Sequence, residues 1–232
     1  MKAIRCREWG APDLLRLEEA ERSSLERHQV RIRVHTAGVN FADSLMVGGT
    51  YQVRPPFPFT PGLEAAGEIV ETGNAVDGLR VGQRALAVLR NGGGYAEEIV
   101  LDAAAVVPIP DALDFVTAAA FPVAYGTSHF ALTHRGHLQP RETLLVLGAA
   151  GGVGLTAVEI GKAMGARVIV RRHMRSSARS AKPISRIQWW MRPGPSRPCA
   201  ISKPRPSPSN ILAAEIRTLS KRTSAWPSGA SS

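Results

Sequence analysis

The chain has 232 residues, 44% of them apolar, which is enough for a sizeable core in one large or two small domains. It contains no run of about 18 apolar residues, and its charged start MKAIRCREWG does not resemble a secretory segment, so a cytoplasmic, non-membrane protein is expected. The net charge of +10 is uneven: residues 1–170 hold 16 Lys plus Arg against 18 Asp plus Glu, whereas 171–232 hold 13 against 1, so any polyanion binding is expected only through that basic tail.

In chain order, Met1–Arg7 reads as a strand paired with Leu14–Glu18 across the Gly10–Asp13 turn. Gln29–Thr36 alternates with Val30, Ile32 and Val34 on one face, the pattern of a half-buried strand. In the segment 37–73, Asn40 and Asp43 stand at the start of a short helix that Gly48 and Gly49 end. Both are common helix-start residues, and Tyr51 is an ordinary packing aromatic, so spacing alone leaves structural and ligand roles open. Ala65–Glu71, Val81–Leu89 and Tyr95–Leu101 read as further strands of a partly closed β domain. A helix is expected from Asp111 through Asp114 to Ala120, and another over Tyr125–Leu132. His129, His134 and His137 lack a surrounding cysteine or carboxylate array and read as a solvated helix end. Cys6 and Cys199 stand far apart and each reads as a buried or idle thiol.

The most informative stretch is Leu144–Val170. Leu144–Leu147 is a short apolar run suited to a strand buried on both faces. Gly148, Gly151, Gly152 and Gly154 follow, and then Val153, Ala157, Ile160 and Met164 recur at helical spacing as one buried face. Gly165 closes that helix before a second strand, Ala166–Val170. In this strand, glycine turn, helix, strand order, a helix N-terminus can hold the pyrophosphate of a dinucleotide.

AGVNFAD, GTY, PFTPGLEAAGEIV, GGYAEE and LGAAGGVG together resemble the quinone oxidoreductase branch of the medium-chain dehydrogenase/reductase superfamily over about residues 1–170. The resemblance implies an α/β chain. Its parts are a GroES-like, partly closed β-barrel catalytic domain over 1–122, an incomplete Rossmann parallel-sheet domain binding NADPH over 123–170, and a disordered basic tail over 171–232. It further implies that Asn40, Asp43 and Tyr51 lie on the nicotinamide and substrate side of the cleft, that Thr127 lies near the nicotinamide, and that Ala149, Ala150, Gly151, Gly152, Val153 and Gly154 hold the pyrophosphate. Arg171 and Arg172 stand where a basic residue suits the 2′-phosphate.

Zinc-dependent relatives place a cysteine and a histidine where this chain has Asn40 and Leu63, so the resemblance implies metal-free hydride transfer to a quinone or enone, with Tyr51 and Asn40 as candidate donors to the oxygen that gains charge. Arg141 occupies a turn where relatives usually have a small residue, and Glu159 a helix position usually held by glutamine. Relatives pair as dimers through the Rossmann sheet edge, a pairing not assumed here.

After Val170 the composition switches to 13 Ser and 8 Pro in 62 residues, too little apolar surface to offset ordering entropy. Ile211–Leu219 is the one short helix expected there. A basic nucleic-acid-binding arm with Trp189 and Trp190 as stacking groups, an idle tail and a change of reading frame all fit. The switch in mid-domain favours the frame change and an impaired enzyme; a catalytically inactive scaffold binding polyanions is the competing class.

Overall fold

The computed structural model describes residues 1–171. The expectations for Arg172, for Trp189 and Trp190, for the 211–219 helix and for a disordered tail lie outside the described residues.

Strands β3 (Gln29–Ala37), β4 (Glu64–Thr72), β5 (Arg84–Val88), β6 (Glu98–Asp102) and β7 (Val106–Pro108) form one antiparallel sheet in the order β6-β3-β4-β5-β7. Register shifts between β3 and β4 at Arg31/Ile32 and Val34/Thr36 add local twist, and the sheet curls into a half-barrel. A hairpin of β1 (Lys2–Arg5) and β2 (Arg16–Glu19) lies against it through bridges Ala3–Ala96 and Cys6–Phe59.

Alternation in β3 and β4 decides what the sheet buries. Val30, Ile32, Ala65 and Ile69 join Ala85, Ala87, Ile99 and Val106 inside the curl. On the opposite face Ala66, Leu86, Val88 and Val107 meet Ala118 and Ala119 of helix α2 (Phe115–Ala120). A third cluster, Cys6, Met46, Val47, Phe59 and Leu63, lies under helix α1 (Phe41–Val47). Met46 and Val47 are almost fully buried, at roughly 1.5–3 kcal/mol each, and anchor this two-turn helix.

From α2 the chain runs through helix α3 (Pro122–Phe130) and a π-helical turn (Ala131–Arg135) to strand β8 (Thr143–Leu147), helix α4 (Gly152–Ala163) and strand β9 (Arg167–Arg171). β8 and β9 pair in parallel from Thr143–Arg167 to Leu147–Arg171. α3 packs on α4 through a buried hydroxyl pair: Ser128 Oγ and Thr156 Oγ1 are 2.7 Å apart, within reach of the Val153 and Ala124 carbonyls. Tyr125 of α3 donates a short hydrogen bond to Glu159 of α4, and that carboxylate pushes the phenol up to about 12.

Several sequence expectations are corrected. β8 is not covered on both faces: Leu145 is 56% and Leu147 64% exposed, with Ile169 and Val170 also exposed, because only α4 covers the pair among the described residues. The buried stripe of α4 is Thr156, Ile160 and Gly161, while Val153 is exposed. α2 starts at Asp114, whose carboxylate accepts from Thr117 N, and not at Asp111. β5 begins at Arg84, since exposed Val81 and Gly82 form a turn.

Candidate functional site

The segment between β3 and α1 is held by buried polar groups. Asn40 is the N-cap of α1, and Asp43, one turn on, reaches back so that Asn40 N donates to Asp43 Oδ2 at 2.8 Å. The same oxygen accepts from Tyr95 OH at 3.0 Å, and Asp43 Oδ1 accepts from Gly62 N at 3.2 Å. Asp43 is 4% exposed, and both of its carboxylate oxygens are engaged by groups of the chain itself. Burial and the Asp43 charge push the Tyr95 phenol far above its ordinary range, keeping it a neutral donor.

Asn40 is half-buried, with its Nδ2 2.7 Å from Glu64 Oε1. Tyr51 packs against the Met46, Phe59 and Leu63 cluster, and its hydroxyl has no hydrogen-bond partner among the described residues. Leu63, at the position where zinc-dependent relatives carry histidine, is buried in that apolar cluster. Among the described residues there is no group of three His, Cys, Asp or Glu able to hold a metal ion. Thr127 is exposed on α3, beside buried Ser128. A shallow depression of about 370 Å³ near β1, bounded by Ile4, Leu17, His35 and Glu97, is lined by none of the predicted site residues.

The glycine turn has two physically different glycines. A Cβ on Gly154 would collide with the Gly148 carbonyl oxygen and Ala149 Cα, so the turn closes onto α4 only with glycine there. A Cβ on Gly152 would meet nothing within 4 Å. Gly151, Gly152 and Val153 are exposed at the start of α4, where the first helical N–H groups have no intrahelical acceptor. Ala149 is half-buried and Ala150 exposed in the same turn. Arg171, at the end of β9, lies beside it: Gly148 N donates to Arg171 O at 3.4 Å. An exposed row of N–H groups with a basic residue next to it fits a dinucleotide phosphate.

Sequence reading passed over Glu64 and Tyr95. The available signal for Glu64 was a single carboxylate inside the otherwise apolar run LEAAG; for Tyr95 it was an aromatic in a glycine-rich turn.

A half-barrel of this order, followed by a strand, glycine turn, helix, strand unit, defines a class: residues 26–111 match the alcohol dehydrogenase GroES-like domain. The chain is 44% identical over 169 residues to quinone oxidoreductase-like protein 2 homolog of Nematostella vectensis, covering 72% of this chain and 46% of that protein. It is 37% identical over 170 residues to the quinone oxidoreductase of Pongo abelii, covering 73% and 52%. The quinone oxidoreductase of Thermus thermophilus, solved alone and in complex with NADPH, superposes with a TM-score of 0.66 at 36% identity, covering 75% of this chain and 54% of that one. The described part of the chain belongs to the quinone oxidoreductase branch of the medium-chain dehydrogenase/reductase superfamily. It spans about half the length of the curated relatives it matches.

Proposed function

We propose that this chain is built for NADPH-dependent reduction of quinones or enones without zinc, with residues 1–122 as the catalytic unit and 123–170 as the start of a Rossmann unit. The observation that carries the reading is the α4 N-terminus: Gly152 stands in open space and Gly154 is sterically obligatory, as a loop that admits a phosphate requires. Gly151, Gly152, Val153 and Gly154, with Ala149 and Ala150, would hold the pyrophosphate, and Arg171 the 2′-phosphate. Asn40 and Thr127 would flank the nicotinamide.

NADPH, when bound, supplies the hydride. The chain's own residues orient the acceptor and stabilise the oxygen that gains charge. Tyr51 suits this second task because its hydroxyl is free to donate, whereas Asn40 has committed its Nδ2 to Glu64. Leu63 in an apolar cluster and Asn40 at the capping position are poor zinc ligands, which supports a reaction without a metal.

The composition after Val170 departs from the alternating apolar strands and helices that complete a Rossmann sheet, so cofactor affinity and turnover are expected to be low. The test is a fluorescence titration of the full chain with NADPH, followed by turnover with a simple quinone. Weak, saturable binding with slow reduction that falls on the order of 10²-fold in Tyr51→Phe supports the reading. No binding at millimolar NADPH, or turnover insensitive to Tyr51→Phe, would sink it.

A further inference from the structure

Glu64, the first residue of β4, is 2% exposed and belongs to no role assigned above. Its two oxygens serve two different elements. Oε1 accepts from Asn40 Nδ2 at 2.7 Å, at the cap of α1, and Oε2 accepts from Val123 N at 2.8 Å, in the first turn of α3. Val123 N is one of the helix-start N–H groups that lack an intrahelical acceptor, and a carboxylate at that end is favoured by the helix dipole. The backbone leaves room for it, since a Cβ on Gly38 would run into the Glu64 carboxyl group. Burial raises the proton affinity of this carboxyl, Asp43 adds to the rise, and the two donated hydrogen bonds oppose it.

An ionised carboxylate only accepts, so Asn40 must turn Nδ2 toward Glu64 and Oδ1 away from it. We propose that Glu64 is a positioning residue for the nicotinamide end of the site: one buried carboxylate holds Asn40 and the start of α3, the helix that carries Thr127, at a fixed separation and sets which way round the Asn40 amide stands. The bridge is a property of the chain itself; only the ligand it serves rests on the function proposed above.

Glu64→Gln separates positioning from mere support. The glutamine oxygen can keep the Val123 N–H, but its amide nitrogen then faces Asn40, which has to turn over and present Nδ2 where Oδ1 stood. A side chain needed only to satisfy Val123 would tolerate the change without consequence. Hydrogen exchange is followed by NMR on the full ¹⁵N-labelled chain, with the Asn40 side-chain signal assigned from Asn40→Asp.

In Glu64→Gln the Asn40 amide protons exchange about tenfold faster or more, while Val123 N–H stays protected; in Glu64→Ala both lose protection. An Asn40 signal unchanged in Glu64→Gln, or a Val123 N–H that is unprotected in the parent chain, would overturn the bridge. The second readout compares NADPH with adenosine 2′,5′-bisphosphate, which lacks the nicotinamide. Glu64→Gln weakens NADPH by about tenfold and leaves the bisphosphate unchanged. Equal weakening of both, or of neither, refutes positioning at the nicotinamide end. A parent chain that binds neither nucleotide refutes the ligand assignment, and the exchange data then decide the bridge alone.

Discussion

Replacing Gly152 and Gly154 by alanine, one at a time, should move the protein in opposite directions although the two residues stand two apart in one motif. At Gly152 the new methyl group meets nothing within 4 Å, so the substitution only restricts the unfolded chain and is worth about 0.4–1 kcal/mol of added stability. For a chain of this size that is a rise in Tm of about 1–4 °C. At Gly154 the methyl group would lie closer to the Gly148 oxygen and Ala149 Cα than atoms approach, and both obstacles are backbone. Overpacking of that kind costs about 3 kcal/mol at its upper end; set against a gain of about 1 kcal/mol from losing glycine, the net loss is about 2 kcal/mol. Thermal melts of the full chain, with hydrogen exchange at Ile160 and Met164 to isolate α4, measure both. Gly152→Ala should also weaken NADPH by about tenfold or more, because the methyl group takes the space through which a phosphate oxygen approaches the helix N–H groups. Destabilisation by Gly152→Ala, or two variants of equal stability, would refute the steric reasoning. A stabilised Gly152→Ala chain with undiminished NADPH affinity would refute the phosphate assignment alone.

Arg141 holds φ at +72° while its N–H donates to the Gly165 carbonyl at 2.8 Å, a backbone bond that glycine keeps. Arg141→Gly should therefore stabilise the β8–α4–β9 unit by up to about 1 kcal/mol in urea melts and Arg141→Ala should not; equal effects would mean that charge, not backbone conformation, is responsible. The Glu64 carboxyl, raised above its ordinary 4.5 by burial and facing Asp43 and, beyond it, Tyr95, should make stability fall as pH rises from 4.5 through the raised value. Glu64→Gln should flatten that limb of the stability profile, and an unchanged limb would assign it to other groups. Leu145→Thr and Leu147→Thr, at exposed positions on β8, should lower binding of a hydrophobic dye without lowering Tm by more than about 2 °C; a larger drop would show that the outer face is covered in solution.

What the sequence disclosed, and what it hid, follows from how far apart the interacting residues are. The run Leu144–Leu147, the glycine cluster and the apolar recurrence to Ile160 are local, and they announce β8, the turn and α4. Leu63 and Asn40 were legible in the same way, as departures inside recognisable motifs. β7 was missed because Val106–Pro108 is three residues long and ends in proline. β5 was read too long because exposed Val81 looks like a strand residue until Gly82 is seen at a φ of +81°. Asp111 and Asp114 are equally good helix starters on composition; only Asp114 has Thr117 at the distance that closes a cap. The bridge through Glu64 joins residues 24 and 59 positions away, and no local pattern encodes that meeting. Asp43 was legible as a helix-start residue but not as a fully engaged one, since Tyr95 and Gly62 come from elsewhere in the chain.

Among the described residues no element covers the outer side of the β8–β9 pair or pairs with the free edge of β9, which bears on self-association. Leu144–Leu147 and Val168–Val170 are short, strongly β-forming and free of charge, the composition that stacks into intermolecular sheets. β9, however, is RVIVR, with Arg167 and Arg171 at its two ends. A second copy adding in register would set each arginine against its own counterpart at a strand spacing of about 4.8 Å, a like-charge contact with no carboxylate in the strand to relieve it. The two arginines therefore act as gatekeepers whose strength depends on ionic screening, and oligomers built through this edge should grow with added salt.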